Sequence, residues 1–568
     1  MLFMTEAETQ QGASENEQGN DLFHRGKYLE SLQAYQRAAI HLPDVAAVQL
    51  NIGNAFKNLG QFSLAVNAYE KAIQLHPEYA DAHFNLGVVY EEQNNHVLSA
   101  ASYDRALQNV PSCCEFATAL VHQLQHLCQW DGLTELSQRI VQAITSSDSN
   151  QPSHFASPYC FITLPIATTA IEQRQCMENW AKRLPTPSAP MHCIVGRPTV
   201  QRLTDKIKLG YLSGDFRNHA VAYLVAELFE SHDRNRFEVF GYSYGRDDGS
   251  PIRSRIVNAF DRFHDIQSES FEGSAQQIAE DGVDILIDLQ GYTTRSRPEI
   301  LALRPAPIQV NYLGFPGTMG SNAYDYILVD EFVVPSSQQS YFNEKLVHLP
   351  GCYQVNDRQY SISSTLFSRS QCGLPENGFV FCSFNNNQKL TRSMFALWMR
   401  ILRSVLGSVL WLPEWNSIAV ANLRREAVAN GIDATRLVFA PHMNIAEHAA
   451  RHRLADLSLD TFPYNGHATA GISLRMGVPI VTLTGETFAS RVAGSLLNTL
   501  ELPELITYRE AEYEALAIRL AREPEELANL RAKLARQRDL SSLFDGRVFA
   551  KNVEHAYRFM VAQKLRAG

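Results

Sequence analysis

No two of the nine cysteines are spaced as CxxC, and apart from the adjacent Cys113–Cys114 they stand alone. Zinc-ligand spacing is therefore absent, and buried free thiols in a reducing cytoplasm are the expected state. No apolar run approaches the length that crosses a bilayer. The first 19 residues are polar and acidic and lack the basic-then-apolar order of a secretory signal. A net charge of −10 excludes a broad basic surface for nucleic acid. No Asp-x-Asp pair follows a predicted strand, and Asp247–Asp248 beside Gly249 reads as a solvated turn. A site without a metal is therefore the expectation. With 45% hydrophobic and 19% charged residues, the chain has globular composition, and its 568 residues are too many for one core.

The chain does hold a period of 34 residues: Gly19, Gly53 and Gly87; Tyr35, Tyr69 and Tyr103; Ala38, Ala72 and Ala106; Pro43, Pro77 and Pro111. Each unit reads as two helices, with a small residue where they cross, an aromatic in the second helix and a closing proline. The pattern resembles the tetratricopeptide repeat, whose units stack into a solenoid with a concave face for peptides or proteins. From Cys113 to about Val200 the register is lost, although Phe116–Leu127 and Leu133–Ile144 keep helical apolar spacing. Ser146 to Ser157 reads as a polar loop, and Leu184 to Pro190 as a linker.

Beyond Lys206 strands alternate with helices, which implies parallel sheets covered by helices. Expected strands are Ile207–Leu212, Phe237–Tyr242, Ile285–Leu289 and Ile308–Leu313, then Phe379–Phe384, Ser408–Leu412, Leu437–Phe439, Leu457–Leu459 and Pro479–Leu483. A break near 365–378 separates two Rossmann-like units, with a cleft between them. Ligands of such sheets lie at the carboxyl ends of strands. Polar or glycine-rich segments follow several of them: Ser213-Gly-Asp-Phe-Arg-Asn-His219, Gln290 to Arg297, Leu313 to Thr318 and Phe384 to Lys389. The richest is Asp460-Thr-Phe-Pro-Tyr-Asn-Gly-His-Ala-Thr-Ala-Gly471, a strand end, a small-residue turn and a helix start. Backbone N–H groups and a helix dipole there suit a phosphate. Lys389 could neutralise a departing diphosphate, His467 could cap the helix or touch the phosphate, and His219 with Asp215 could handle a proton near neutral pH.

Leu303 to Thr318, Leu454 to Thr461, Asn465-Gly-His467 and Gly485 to Val492 resemble the O-linked N-acetylglucosamine transferase family. The resemblance covers about residues 17–560 and is most specific over 206–500. It implies an α-helical tetratricopeptide-repeat solenoid followed by α/β, as two Rossmann-like lobes of GT-B type. The expected boundaries are 1–16 disordered tail, 17–112 repeats, 113–205 degenerate helical repeats and linker, 206–370 N-terminal catalytic lobe, and 371–568 nucleotide-sugar lobe with a C-terminal helix. The implied activity is inverting transfer of N-acetylglucosamine from UDP-GlcNAc to Ser/Thr hydroxyls of proteins, without metal or other cofactor. Its partners would be the nucleotide sugar and a protein or peptide along the repeat groove, with no nucleic acid or membrane, in the cytoplasm.

By the same resemblance, Lys389 contacts the donor diphosphate and His467, Ala468 and Thr469 form the phosphate-binding helix start. His448 and Arg451 lie near the base, Asn386 near the diphosphate and Gly314 on the sugar, while His219 and Asp215 flank sugar and acceptor. The chain departs from the family at Ala468, where it has threonine, and at Ile472, where it has an aspartate near the ribose. Val221 and Tyr223 replace a threonine and a histidine. The base is open among His219, Asp215 through water, and the donor phosphate. Two other readings stand beside this one: a SPINDLY-like protein O-fucosyltransferase using GDP-fucose, and a nucleotide-binding repeat adaptor with little turnover.

Overall fold

The computed structural model describes residues 6–146, 154–196, 205–360 and 362–567. Antiparallel helix pairs come first: Glu6–His24 with Tyr28–His41, Ala46–Asn58 with Phe62–Leu75, and Ala80–Glu92 with His96–Asn109. The 34-residue period has a direct steric cause. A Cβ on Gly19, Gly53 or Gly87 would lie 2.4, 2.5 or 2.6 Å from the ring of Tyr35, Tyr69 or Tyr103. Each buried tyrosine thus packs flush on its partner helix, and its hydroxyl donates to Asn20, Asn54 or Glu91 respectively. Gly19 belongs to a helix that begins at Glu6, so residues 6–16 are not a tail but the opening turns of the first repeat. The rest of the expected tail lies outside the described residues.

The degenerate region continues the array with the pair Cys114–His126 and Leu133–Thr145, then Pro158–Ile162, Ala170–Ala181 and Met191–Val195. Most of the predicted polar loop lies outside the described residues.

Two parallel sheets follow. The first contains β1 (Ile207–Ser213), β2 (Phe237–Ser243), β3 (Arg262–Asp265), β4 (Ile285–Asp288), β5 (Ile308–Asn311), β6 (Tyr326–Val329) and β7 (Lys345–His348). Their order is β3-β2-β1-β4-β5-β6-β7. The second contains β8 (Val380–Cys382), β9 (Val409–Pro413), β10 (Leu437–Ala440), β11 (Leu457–Leu459), β12 (Ile480–Leu483) and β13 (Ile506–Thr507). Their order is β10-β9-β8-β11-β12-β13. Both sheets reverse direction beside their first strand, between β1 and β4 and between β8 and β11. Crevices at those switch points are where open α/β sheets bind ligands.

β3, β6, β7 and β13 were not expected from the sequence. β3 and β7 are four-residue sheet edges in which only Val347 is buried, β13 has two residues, and no helix separates β6 from β5 to mark the alternation. The helix Gly546–Ala567 also crosses back to the first lobe. It packs on the helix Ala220–Ser231, and Tyr557 Oη lies 3.1 Å from Tyr211 Oη. Both crossings between lobes are pinned by the buried Glu227, whose carboxylate accepts from the N–H of Arg358 at 2.7 Å and of Gly546 at 3.3 Å. Arg255 of the first lobe pairs with Asp357, and Arg475 of the second donates to the Asp357 carbonyl. No helix among the described residues is long and apolar enough to cross a membrane.

Candidate active site

At the switch point of the second sheet, the loop after β8 meets the loop after β11. Asp460 opens the latter and is fully buried. It accepts from the N–H groups of Gly466 and Thr461 at 2.7 and 2.9 Å and from Thr482 Oγ1 at 2.7 Å. Burial pushes its carboxyl up to about 6, against the pull of those donors and of Lys389. These bonds curl the loop so that the helix Ala468–Arg475 starts toward the cleft. Gly466 is needed there: a Cβ would lie 2.8 Å from Thr469 Oγ1, 3.0 Å from Asn385 Oδ1 and 3.2 Å from Asp460 Oδ1. Asp460→Ala strands three donors, so it is expected to lower the unfolding free energy by about 1–3 kcal/mol. Urea denaturation would measure the loss, and an unchanged midpoint would refute the anchoring role.

Lys389 ends a short turn, Asn387–Lys389, after β8. Its Nζ donates to the Asn465 carbonyl at 3.0 Å and sits 4.2 Å above the Tyr464 ring. An ammonium has three donors, so N–H groups remain for an anionic ligand. Burial lowers its pKa to about 8, with Asp460 pulling the other way. His467 stacks on Tyr464 with ring centroids 4.8 Å apart. Burial, and then Lys389, push His467 well below its ordinary value, so the ring is neutral. Its Nε2 is buried and has no partner, as are Asn386 Oδ1 and Ser383 Oγ on the facing loop. Buried polar atoms normally pair, and these orphans share one switch point. Thr469 Oγ1 is already engaged, donating to Asn385 Oδ1 at 2.5 Å.

His448 and Arg451 lie on the helix Ile445–Arg451 after β10. Arg451 is 2% exposed and spends its donors on His448 Nδ1, at 2.8 and 3.1 Å, and on the Pro441 carbonyl. Burial, His452 and Arg451 drive His448 down to about 2. The arginine therefore orients a neutral His448.

On the first lobe, Asp215 and His219 follow β1. Asp215 Oδ2 lies 3.3 Å from His219 Nδ1, and Arg217 Nη2 donates to Asp215 Oδ1 at 3.2 Å. His219 also occupies the N-cap position of the helix Ala220–Ser231; its Nδ1 lies 3.4 Å from the Val221 nitrogen and can accept from that N–H only without a proton of its own, so the cap bond and donation to Asp215 exclude one another. Burial lowers its pKa, Asp215 raises it and Arg217 lowers it, with a net downward shift. Gln290, after β4, accepts from the Gly214 N–H at 3.1 Å and ties the neighbouring strand end to this one. Gly314 is fixed by a close approach: a Cβ would lie 2.1 Å from the Leu289 carbonyl oxygen.

A small pocket, about 30 Å³, opens between the lobes. Ala220, Tyr223 and Leu224, immediately beyond His219, form one wall. Ala468, Gly471 and Ile472, immediately beyond His467, form the other, and Asn356, Asp357 and Tyr360 of the interlobe chain close an end. Of the residues chosen from the sequence, Ala468 lines this cavity directly. The Asp215–His219 pair and the Lys389–His467 group flank it from opposite lobes. The sequence reading did not single out Asp460, Tyr464 or the carbonyl of Asn465 as individual site groups, although all lie in the segment it ranked first.

Residues 195–367 and 358–553 match Glycosyl transferase family 41, and residues 53–94 match the TPR repeat. The chain belongs to glycosyl transferase family 41. This family-41 chain is 36% identical over 450 residues to an Arabidopsis thaliana protein named probable UDP-N-acetylglucosamine–peptide N-acetylglucosaminyltransferase SEC, covering 77% of this chain and 46% of that protein. A Caenorhabditis elegans protein named UDP-N-acetylglucosamine–peptide N-acetylglucosaminyltransferase is 28% identical, over 76% of this chain and 47% of its own length. A Petunia hybrida protein of the SPINDLY name is 34% identical over 62% and 38%. The chain thus spans less than half the length of these curated relatives. The solved structure of a mutant Thermobaculum terrenum O-GlcNAc transferase aligns over 99% of this chain and 100% of its own, with a TM-score of 0.69 and 26% identity.

Proposed function

We propose that this family-41 protein is an inverting protein O-glycosyltransferase that moves N-acetylglucosamine from UDP-GlcNAc to serine or threonine hydroxyls. The observation that carries the reading is the pairing across one cleft of an anion cradle with a proton acceptor. Lys389, the neutral His467 and the N–H groups at the start of Ala468–Arg475 face the place of a departing diphosphate. Across the cavity, Asp215 holds Nδ1 of His219, leaving Nε2 to take the acceptor proton. The acceptor hydroxyl attacks C1 as the C1–O bond to UDP breaks, and the ammonium and helix dipole take up the charge without a metal ion. Asn386, His448 and Gly314 complete the donor side, and the repeat groove receives the acceptor protein. The names of the SEC and C. elegans relatives support the donor choice.

The apolar wall formed by Ala468 and Ile472 favours, as a second reading, a nucleotide-binding adaptor with little turnover. Calorimetric titration with UDP and GDP, followed by incubation of the protein with labelled UDP-GlcNAc and GDP-fucose in a proteome extract, separates the readings. UDP binding with label transferred to protein is expected. UDP binding without any transfer would favour the adaptor, and GDP binding with fucose transfer would move the protein to the other donor.

A further inference from the structure

The helix Cys114–His126, in the degenerate part of the array, ends against the second lobe, and its terminal carbonyls can be followed one by one. Those of Gln123, Leu124 and Gln125 accept from the N–H groups of Leu127, Gln129 and Cys128, with Cys128 at φ 51°. The His126 carbonyl accepts from Nδ2 of Asn387 at 3.1 Å and of Asn416 at 2.9 Å. The Leu127 carbonyl accepts from Asn422 Nδ2 at 2.8 Å. Asparagines of the second lobe therefore finish a helix of the repeat array.

One of them, Asn387, lies in the turn that carries Lys389, and that turn is gripped again from the same side. Gln125 is fully buried, and its Nε2 donates both to the Thr163 carbonyl at 2.9 Å and to the Gln388 carbonyl at 2.7 Å. Its Oε1 has no partner, and turning the amide over would set that oxygen against two carbonyl oxygens. The side chain of Gln388 in turn donates to Tyr159 Oη at 2.8 Å. The residue before Lys389 is thus held through both its carbonyl and its amide by groups outside the two lobes. A turn of this length has few hydrogen bonds of its own, so outside partners decide where it sits.

We propose that Gln125 and Tyr159 are positioning residues for Lys389, so that docking of the repeat array is a condition of turnover. The proposal rests on the donor-side role given to Lys389 above. Displacing a catalytic group by about 1 Å can cost on the order of 100-fold in rate, and a loosened turn would shift the Lys389 ammonium by part of that distance.

The test uses the full chain carrying Gln125→Ala, Tyr159→Phe, Lys389→Ala, and each of the first two combined with Lys389→Ala. Steady-state kinetics with UDP-GlcNAc and an acceptor peptide give kcat and KM, and melting temperature reports folding. Gln125→Ala is expected to lower kcat about tenfold or more and Tyr159→Phe about threefold, with acceptor KM within about twofold. The double variants should be no slower than Lys389→Ala alone, because the positioning residues act only through that ammonium. Unchanged kcat in both single variants, or losses that multiply in the doubles, would overturn the positioning role. If Gln125→Ala fails to fold, Tyr159→Phe, which removes one oxygen, decides by the same two measures. If Lys389→Ala keeps normal turnover, the donor-site reading falls and takes this inference with it. Lys389-dependent turnover that ignores Gln125 and Tyr159 sinks the inference alone.

Discussion

Lys389→Ala is expected to cut kcat for sugar transfer by roughly 100- to 1000-fold while leaving the melting temperature near that of the parent protein. The magnitude is that of removing one preorganised group aimed at developing charge in a site closed to water. The side chain fits that role for three reasons. It is half-buried and largely desolvated by its surroundings, so its charge acts in a lower dielectric than water. It makes a single hydrogen bond to the Asn465 carbonyl, at 3.0 Å, so donors remain for the diphosphate. It lies over Tyr464, the ring on which His467 stacks, so ammonium, imidazole and helix start converge. Folding depends little on it, because an amine whose pKa burial has lowered to about 8 is carried at a cost to the protein when charged.

The same displacement sets a pH profile. The ammonium is the active form, and in the free enzyme it is lost as pH rises through about 8. The kcat/KM for donor, which reports the free enzyme, should fall about tenfold per unit above that point. In kcat the limb should move to higher pH, since a bound diphosphate favours the charged amine. Lys389→Arg stays cationic across this range and should lack the limb altogether, at a lower plateau because the guanidinium does not fit an ammonium site. A parent profile that stays flat to pH 10 would remove Lys389 from the role.

How far the sequence foretold the site depended on the kind of contact involved. The repeats were legible because the packing of Tyr69 on Gly53 recurs unchanged at Tyr35 on Gly19 and Tyr103 on Gly87. One geometric demand imposed three times leaves a period. Lys389 and the Asp460–Gly471 loop were legible because strand ends of a parallel sheet are few and their polar residues conspicuous. β3, with Arg262, His264 and Asp265 on an edge, shows no apolar run, since an edge strand need not bury both faces. The first helix was hidden because Glu6 to Asn20 is polar almost throughout and packs mainly through its glycines, Gly12 and Gly19. The grip of Gln125 on the Lys389 turn left no local trace: donor and acceptor are 263 positions apart, and a buried glutamine in a helix looks like any other until the fold brings its carbonyl partner.

Loss of the proton acceptor should be nearly as severe as loss of the cation. His219→Ala is expected to lower kcat by roughly 100- to 10,000-fold, the span usual for a positioned general base. Asp215→Asn should approach that loss without removing the imidazole. Asp215 Oδ2, 3.3 Å from Nδ1, favours the tautomer with its proton there and its lone pair on Nε2. An amide in its place can donate to Nδ1, which turns the tautomer over and puts a proton where the base is needed. Because the two residues act as a unit, His219→Ala combined with Asp215→Asn should be about as slow as His219→Ala alone. With its proton on Nδ1, His219 cannot also accept from the Val221 N–H 3.4 Å away, so its removal breaks no cap bond and costs stability only through lost packing at the helix start. Single-turnover rates at saturating donor, taken well below each variant's melting temperature, separate the chemical loss from that structural one. If His219→Ala stays within about threefold of the parent in such an experiment, the acceptor proton does not go to the imidazole. Asp215 acting through water and the donor phosphate are then the remaining acceptors, and Asp215→Asn in the His219→Ala background separates them, because only the first is lost with the carboxylate.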